Sequence, residues 1–180
     1  DCDYIMKVQN IALINQADID RNCPKQYAYF KLPSGRYCWM QTSANHKDYS
    51  GRFNTRYLHA VISDEQPNFI PIAFFDVFKF RSEPTNEEFH ALVDPPELPE
   101  MQIADSMVAL KMTQKSLAKN SAENLMNALY TALKDDKPLL VNCNSMKALD
   151  TFKEMFSLIP KEDAIEISFS TYLTNIGDAM

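Results

Sequence analysis

YAYFKLPSGRYCWMQT, residues Tyr27 to Thr42, decides how the first half of the chain is read. Two aromatic-rich runs, Tyr27 to Leu32 and Arg36 to Thr42, flank Pro33-Ser34-Gly35, a short turn whose glycine is free to take a positive φ, and this is the sequence form of a β-hairpin. Working outward, Thr55 to Ser63 (TRYLHAVIS) and Phe69 to Phe78 (FIPIAFFDVF) read as two further strands, with Asp64 to Asn68 between them. Four strands in a mostly antiparallel sheet are therefore expected. Pro71 has no amide to donate, which predicts a sheet edge or a bulge at the start of the last run. Tyr4 to Asn15 (YIMKVQNIALIN) fits a strand or a helix at this length.

The polar stretch Arg81 to Glu100 contains Pro95, Pro96 and Pro99, which forbid a continuous helix and mark the boundary between halves. The expected organisation is a β-rich half over residues 1–80, a linker over 81–100 and an α/β half over 101–180. In that second half the period turns helical. Ser121 is placed to cap a helix with Leu125, Leu129, Ala132 and Leu133 on one face, ending before Asp135-Asp136-Lys137-Pro138. Leu139 to Cys143 reads as a short buried strand, and Ser145 starts a helix carrying Leu149, Phe152, Phe156 and Ile159 until Pro160 stops it. Ala164 to Tyr172 alternates apolar and polar residues as a strand does. The expected class is α+β, with a β-rich half packed beside a helix-strand-helix-strand unit joined by a crossover.

The 180 residues are 46% hydrophobic and 23% charged, the balance of a chain that buries a core. The longest nearly apolar run, Phe69 to Phe80, is broken by Asp76 and Lys79 and is far short of the ~20 residues a membrane helix needs, so no membrane span is expected. A formal net charge of -6 is the wrong sign for tracking a phosphate backbone, and Arg52 and Arg56 are the one close arginine pair, so nucleic acid is not expected as a partner. Cys2, Cys23, Cys38 and Cys143 show no C-x-x-C spacing, the chain has no N-x-Ser/Thr site, and nothing resembles a leader. These features read as reduced thiols in the cytoplasm. The opening at Asp1, without an initiator methionine, reads as a piece of a longer chain.

Only Gly35, Gly51 and Gly177 occur, so neither GxGxxG nor GxxxxGK[ST] can be written, and the nucleotide grips that need closely approaching backbone amides are excluded. His46, His59 and His90 lack the spacing of a zinc site, and no metal or cofactor is expected. The densest polar constellation is Asp48-Tyr49-Ser50-Gly51-Arg52-Phe53-Asn54. A carboxylate, a guanidinium fork and an amide in one loop suit an anionic or peptide partner, and equally an internal Asp48–Arg52 pair that stiffens the loop. His59, between Leu58 and Ala60, reads as a core imidazole or a base. Cys143 reads as a buried strand-end residue or as a thiolate favoured by a helix start, and with His59 it would make a Cys-His hydrolase. Ser170, Thr171 and Tyr172 offer strand-end hydroxyls that could serve such an enzyme or simply close hydrogen bonds on a sheet edge.

The run KDYSGRFNTRYLHAVISDEQP (Lys47 to Pro67) resembles a segment of the bacterial GTPase-associated proteins in which Asp-Tyr-Ser/Thr-Gly-Arg-x-Asn precedes a strand with histidine and an Glu-Arg-Pro-like turn. The upstream CPKQYAYFKLPSGRYCWMQT is similar to the strand pair that leads into that motif. LLVNCNSMKALDTFKEMFSLIPKEDAIEISFSTYLT is similar to that family's helix with a Leu-Leu-Pro-like stop, followed by a strand closing on Thr/Ser-Phe-Ser/Thr-Thr-Tyr. The likeness is to the family's N-terminal and middle domains and leaves out Arg81 to Asn120. This chain departs from the pattern in having a short stretch where a further hairpin precedes Tyr27, one histidine in place of two at Leu58-His59, and Glu65-Gln66-Pro67 for Glu-Arg-Pro.

The resemblance implies an adaptor-like domain found beside Ras-like GTPases in bacterial conflict and defence systems, without established catalytic activity. Asp48, Tyr49, Arg52 and Asn54, with His59 and Ser170-Thr171-Tyr172, would form its shared structural or recognition nucleus, and the first reading is that the domain docks a GTPase or another protein of the system. A hydrolase using His59 with Cys143 or Ser170, and a homo-oligomeric scaffold, are the other readings.

Overall fold

The hairpin closes as its turn residues require. In the computed structural model, residues 1–8, 25–45, 55–85, 100–102 and 119–171 are described. Strand β1 (Gln26–Lys31) pairs antiparallel with β2 (Tyr37–Asn45), from Gln26 opposite Thr42 to Lys31 opposite Tyr37. Gly35 sits at φ +88°, and its amide donates to the Leu32 carbonyl at 2.8 Å. β3 (Thr55–Ser63) pairs antiparallel with β2 from Thr55 opposite Asn45 to Ser63 opposite Tyr37. A two-residue strand, β4 (Phe169–Ser170), pairs antiparallel with β1, giving the order β3-β2-β1-β4. The fold is α+β.

The sheet is apolar on both faces, which is why β1 is buried along nearly its whole length. On one face Ala28, Phe30, Leu32, Cys38 and Met40 pack with Leu58 and Ala60 under helix α1 (Cys2–Val8), whose Ile5 is buried. Here the opening segment resolves as helix as far as Val8. The opposite face carries Tyr29, Tyr37, Trp39, Val61 and Phe169, and meets the larger core, built with Ile72, Phe74, Leu129, Met155, Phe156 and Ile165. That core draws on both halves of the chain. Burying one such large side chain contributes roughly 1.5–3 kcal/mol.

Phe69 to Phe78 is a correction. The run is a 3-10 turn (Pro71–Ala73) followed by α2 (Phe74–Val77). Pro71 stands at the first helical position, where its missing amide costs nothing. Its carbonyl accepts the Trp39 Nε1–H at 2.9 Å, and the Phe74 and Phe78 rings, four residues apart, stack at 5.4 Å.

The second half differs in detail from the expected helix-strand-helix-strand unit. Helix α3 (Lys119–Lys134) begins ahead of Ser121, so that serine lies inside the helix and not at its cap. The helix ends where expected: Asp136 takes φ 52°, with Asp136 N–H donating to Leu133 O at 3.3 Å and Lys137 N–H to Ala132 O at 2.9 Å. Those two bonds form a Schellman closure, and Pro138 follows it. Leu139 to Cys143 pairs with no strand among the described residues. After a 3-10 turn (Ser145–Lys147), α4 (Ala148–Phe156) buries Met155 and Phe156. Pro160 does not merely stop that helix. It is the N-cap of α5 (Lys161–Glu166), whose first turn carries Glu162 and Asp163 where the helix dipole favours negative charge. Of Ala164 to Tyr172, only Phe169 and Ser170 pair as strand, although burial alternates as expected through Ile165, Ile167 and Phe169. With β4 antiparallel to β1, the expected crossover unit gives way to a return strand at the sheet edge.

Candidate functional site

Asp48, Tyr49, Arg52 and Asn54, together with Tyr172, lie outside the described residues. The loop bearing the first four joins β2 to β3, whose facing ends, Asn45 and Thr55, are paired, so the loop is tethered at both ends across one strand spacing. The same end of the sheet holds the start of β1, the Tyr57 end of β3 and the Ser170-Thr171 end of β4.

His59 stands on β3 opposite Gln41, on the face of the larger core. Its ring meets Phe78 and Phe80 edge-on, at 5.5 and 5.4 Å between centroids. His59 Nδ1 accepts the backbone N–H of Arg81 at 2.9 Å, while Gln41 Nε2 donates to the Arg81 carbonyl at 3.0 Å. Two side chains from adjacent strands thereby satisfy both backbone polar groups of one residue. The strap Phe78 to Ser82 is held over the face of the sheet by these side chains, outside the ladder. Arg81 places its guanidinium 5.7 Å over the Tyr57 ring, and Lys25 Nζ donates to Ser82 Oγ at 2.7 Å.

The hydroxyls at the end of β4 serve the sheet edge. Thr171 Oγ1 accepts the Tyr27 amide at 2.9 Å, and the Thr171 amide returns a bond to Tyr27 O at 2.9 Å. Ser170 Oγ accepts from Gln26 Nε2 at 2.9 Å, and the same amide donates to Val8 O at 3.1 Å, tying both α1 and the edge strand β4 to β1.

These positions decide the Ser170–His59 pairing. The register runs Ser170, Ala28, Met40, Ala60 on the α1 face, and His59, Gln41, Tyr27 on the other. Three strand spacings separate the edges, roughly 14 Å at about 4.8 Å each, and the sheet stands between the two side chains. They do not form a nucleophile and base. Cys143 lies in the extended link between α3 and α4 and is half-buried. The turn after it is capped by Asn144, whose Oδ1 accepts the Met146 amide at 2.9 Å.

Burial pushes the Cys38 thiol up from 9.0 to about 12 and lifts the Tyr27 phenol above its ordinary range. The Tyr29 phenol is raised further, chiefly by burial and then by Tyr37 and Glu166, and its hydroxyl donates to Ile165 O at 2.8 Å. All three shifts favour the neutral form, as framework groups require. Two surface depressions, of about 430 Å³ beside Met126 and Leu158 and about 330 Å³ beside Asn68 and Lys161, involve neither His59 nor the β4 hydroxyls. Among the described residues no group of three or more His, Cys, Asp or Glu could hold a metal ion, and no helix is long and apolar enough to cross a membrane.

Gln41, Arg81 and Lys25 are the site residues that sequence reading missed. Gln41 sits at an inward position of β2, on the face that carries Tyr37, Trp39 and Ser43, and an amide two residues beyond a tryptophan in a strand was the available signal.

The described residues form a small antiparallel sheet whose β1, β3 and β4 are tied at one end by polar side chains. The chain belongs to the family described as GTPase-associated protein 1, N-terminal domain type 2, whose model matches residues 6–102 of the 180. The match takes in Arg81 to Gln102, which the motif likeness had left out, and stops short of the likeness seen from Leu139 onward. No curated protein and no solved structure matches.

Proposed function

We propose that this chain is a non-catalytic docking module that binds a Ras-like GTPase, or another protein of the same bacterial conflict system, through the Asp48–Asn54 loop. The observation that carries the reading is membership of a GTPase-associated family over the segment that contains this loop. The tether supports it: a loop fixed between paired strand ends loses less conformational freedom when it is gripped, so more of its contact energy is available for binding. Arg52 is the central contact in this reading, since a guanidinium offers a planar fork to a carboxylate or a phosphate. Asp48, Tyr49 and Asn54 shape the loop around it, and His59, Ser170 and Thr171 act behind it by fixing the strap and the sheet edge.

Pull-down with a Ras-like GTPase from the same gene neighbourhood, where one is encoded, tests the reading. Wild-type chain retains it, and Arg52→Ala loses it while the far-UV circular dichroism spectrum is unchanged. Equal capture by both removes Arg52 from the contact. Absence of capture by the wild type removes the GTPase.

A further inference from the structure

We propose that the outer edge of β3 is a homodimer interface, on which a second copy of this chain pairs its own β3 antiparallel about Ala60. The alternation of hydrogen bonds in the sheet fixes which groups face outward. Leu32 N–H donates to Arg36 O at 2.7 Å, so the bonded pairs of the β1–β2 ladder are Phe30–Cys38, Ala28–Met40 and Gln26–Thr42. The β2 residues between them, Trp39 and Gln41, turn their backbone groups the other way and meet Val61 and His59 of β3. Leu58, Ala60 and Ile62 therefore point N–H and C=O away from the sheet, and among the described residues no strand pairs there. Ile62 is also an exposed large apolar side chain, at 36%.

Native proteins blunt a long open edge with proline, a bulge or charge along the strand. β3 uses little of this: its nine residues pair with β2 in unbroken register, include no proline, and carry one charged side chain at neutral pH, Arg56 near the first end. β4, the opposite edge, is only two residues long. Charge selects the occupant. Arg56 stands near the start of β3, while Asp64 and Glu65 follow its end, exposed to water. A parallel copy of the strand would bring like charges together, and an antiparallel copy brings opposite ones together. Because outward-facing residues bond only to one another, a two-fold axis at Ala60 sets Leu58 opposite Ile62 and Arg56 opposite Asp64 of the second copy. Leu58 and Ile62 lie on the α1 face, so an apolar pair flanks the axis on each side. Arg56 has further interactions in its own chain, and Asp64 Oδ1 lies 3.8 Å from Arg36 Nη1; a guanidinium fork and a carboxylate each serve more than one partner. The two four-stranded sheets would then run on as one. The inference does not rest on GTPase docking.

Sedimentation velocity of the full chain from about 10 µM to about 1 mM, with amide exchange at both ends of that range, tests the interface, since a contact along one strand edge is small and its dimer is weak. The expected result is a reversible monomer–dimer equilibrium, with the Leu58, Ala60 and Ile62 amides exchanging on the order of tenfold more slowly at the high concentration. Asp64→Arg sets arginine against Arg56 and weakens the dimer roughly tenfold or more, and the double variant Arg56→Asp/Asp64→Arg recovers it, with the far-UV circular dichroism spectrum unchanged in both. A wild type that is monomeric throughout, its edge left for another protein's strand, overturns the proposal. So does protection of the three amides that is the same at both concentrations, because another segment of the chain then covers the edge. A dimer equally strong in wild type and Asp64→Arg, or a double variant that recovers nothing, overturns it as well.

Discussion

Gln41 and His59 face each other across the β2–β3 ladder and divide between them the backbone of a third residue: the amide of Arg81 goes to the histidine and its carbonyl to the glutamine. The arrangement puts two polar side chains in a largely aromatic face and leaves neither idle there. It also explains why the strap crosses the sheet at that point, since aromatic packing from Phe78 and Phe80 sets only its depth. A backbone held at both its polar atoms is fixed in register as well.

Thr171 does for β4 what this pair does for the strap. Thr171→Val keeps the shape and removes the acceptor of the Tyr27 amide, so the expected cost is about 1–2 kcal/mol, with faster exchange at Tyr27 and the β1–β2 ladder intact. Urea denaturation and amide exchange read the two effects. Unchanged exchange at Tyr27 would deny the hydroxyl its structural part.

The cysteines differ by burial. Cys38 lies fully inside the smaller core while Cys2 is exposed. Iodoacetamide at pH 8 is expected to label Cys2 within minutes and to leave Cys38 unmodified until the chain unfolds, as followed by peptide mass spectrometry. Equal rates at the two sites would contradict the described packing of β2.

Alkaline pH tests the raised values directly. At neutral pH both Cys38 and Tyr29 keep their protons in the folded and the unfolded chain, and they contribute no pH dependence. Above it the unfolded chain releases a proton that the folded one retains, so stability falls as pH rises from about 9 toward 12, by at most about 1.4 kcal/mol per pH unit for each group. Cys38→Ala is expected to lose about 1 kcal/mol of packing at pH 7 and to flatten this decline. Urea midpoints between pH 7 and 11 measure it, and a slope identical in wild type and variant counts against the thiol.

The end of α3 offers a gain of stability. Asp136 holds a left-handed conformation, φ 52°, that glycine adopts without strain, so Asp136→Gly is expected to stabilise the protein by about 0.5–1 kcal/mol. A lower thermal midpoint in the variant would mean that the aspartate side chain contributes more there than its backbone costs.

The sheet was legible because its signals are local. A Pro-Ser-Gly turn between aromatic runs fixed β1 and β2, and the β-branched and aromatic content of Thr55–Ser63 marked β3 from end to end. Phe69–Phe78 misled because an apolar run has no period to read. Proline at a helix start, Pro71, was the helical sign within it. Pro160 followed by Glu162 and Asp163 was likewise a helix start that the alternation downstream masked. The antiparallel return of β4 rests on contacts some 140 residues apart, as in the Gln26–Ser170 bond, and no local pattern encodes that pairing. Of the expected site, His59, Ser170 and Thr171 are described, and register sets His59 apart from the two β4 residues; register is invisible without the partner strand.

Docking through the β2–β3 loop is most directly measured by calorimetric titration of the neighbouring GTPase into wild-type chain, Arg52→Ala and a distant surface control, Lys137→Ala. The expected result is saturable binding by wild type and control, weakened at least tenfold in Arg52→Ala with its thermal midpoint unchanged. Binding of equal strength by all three, or by none, would contradict the account.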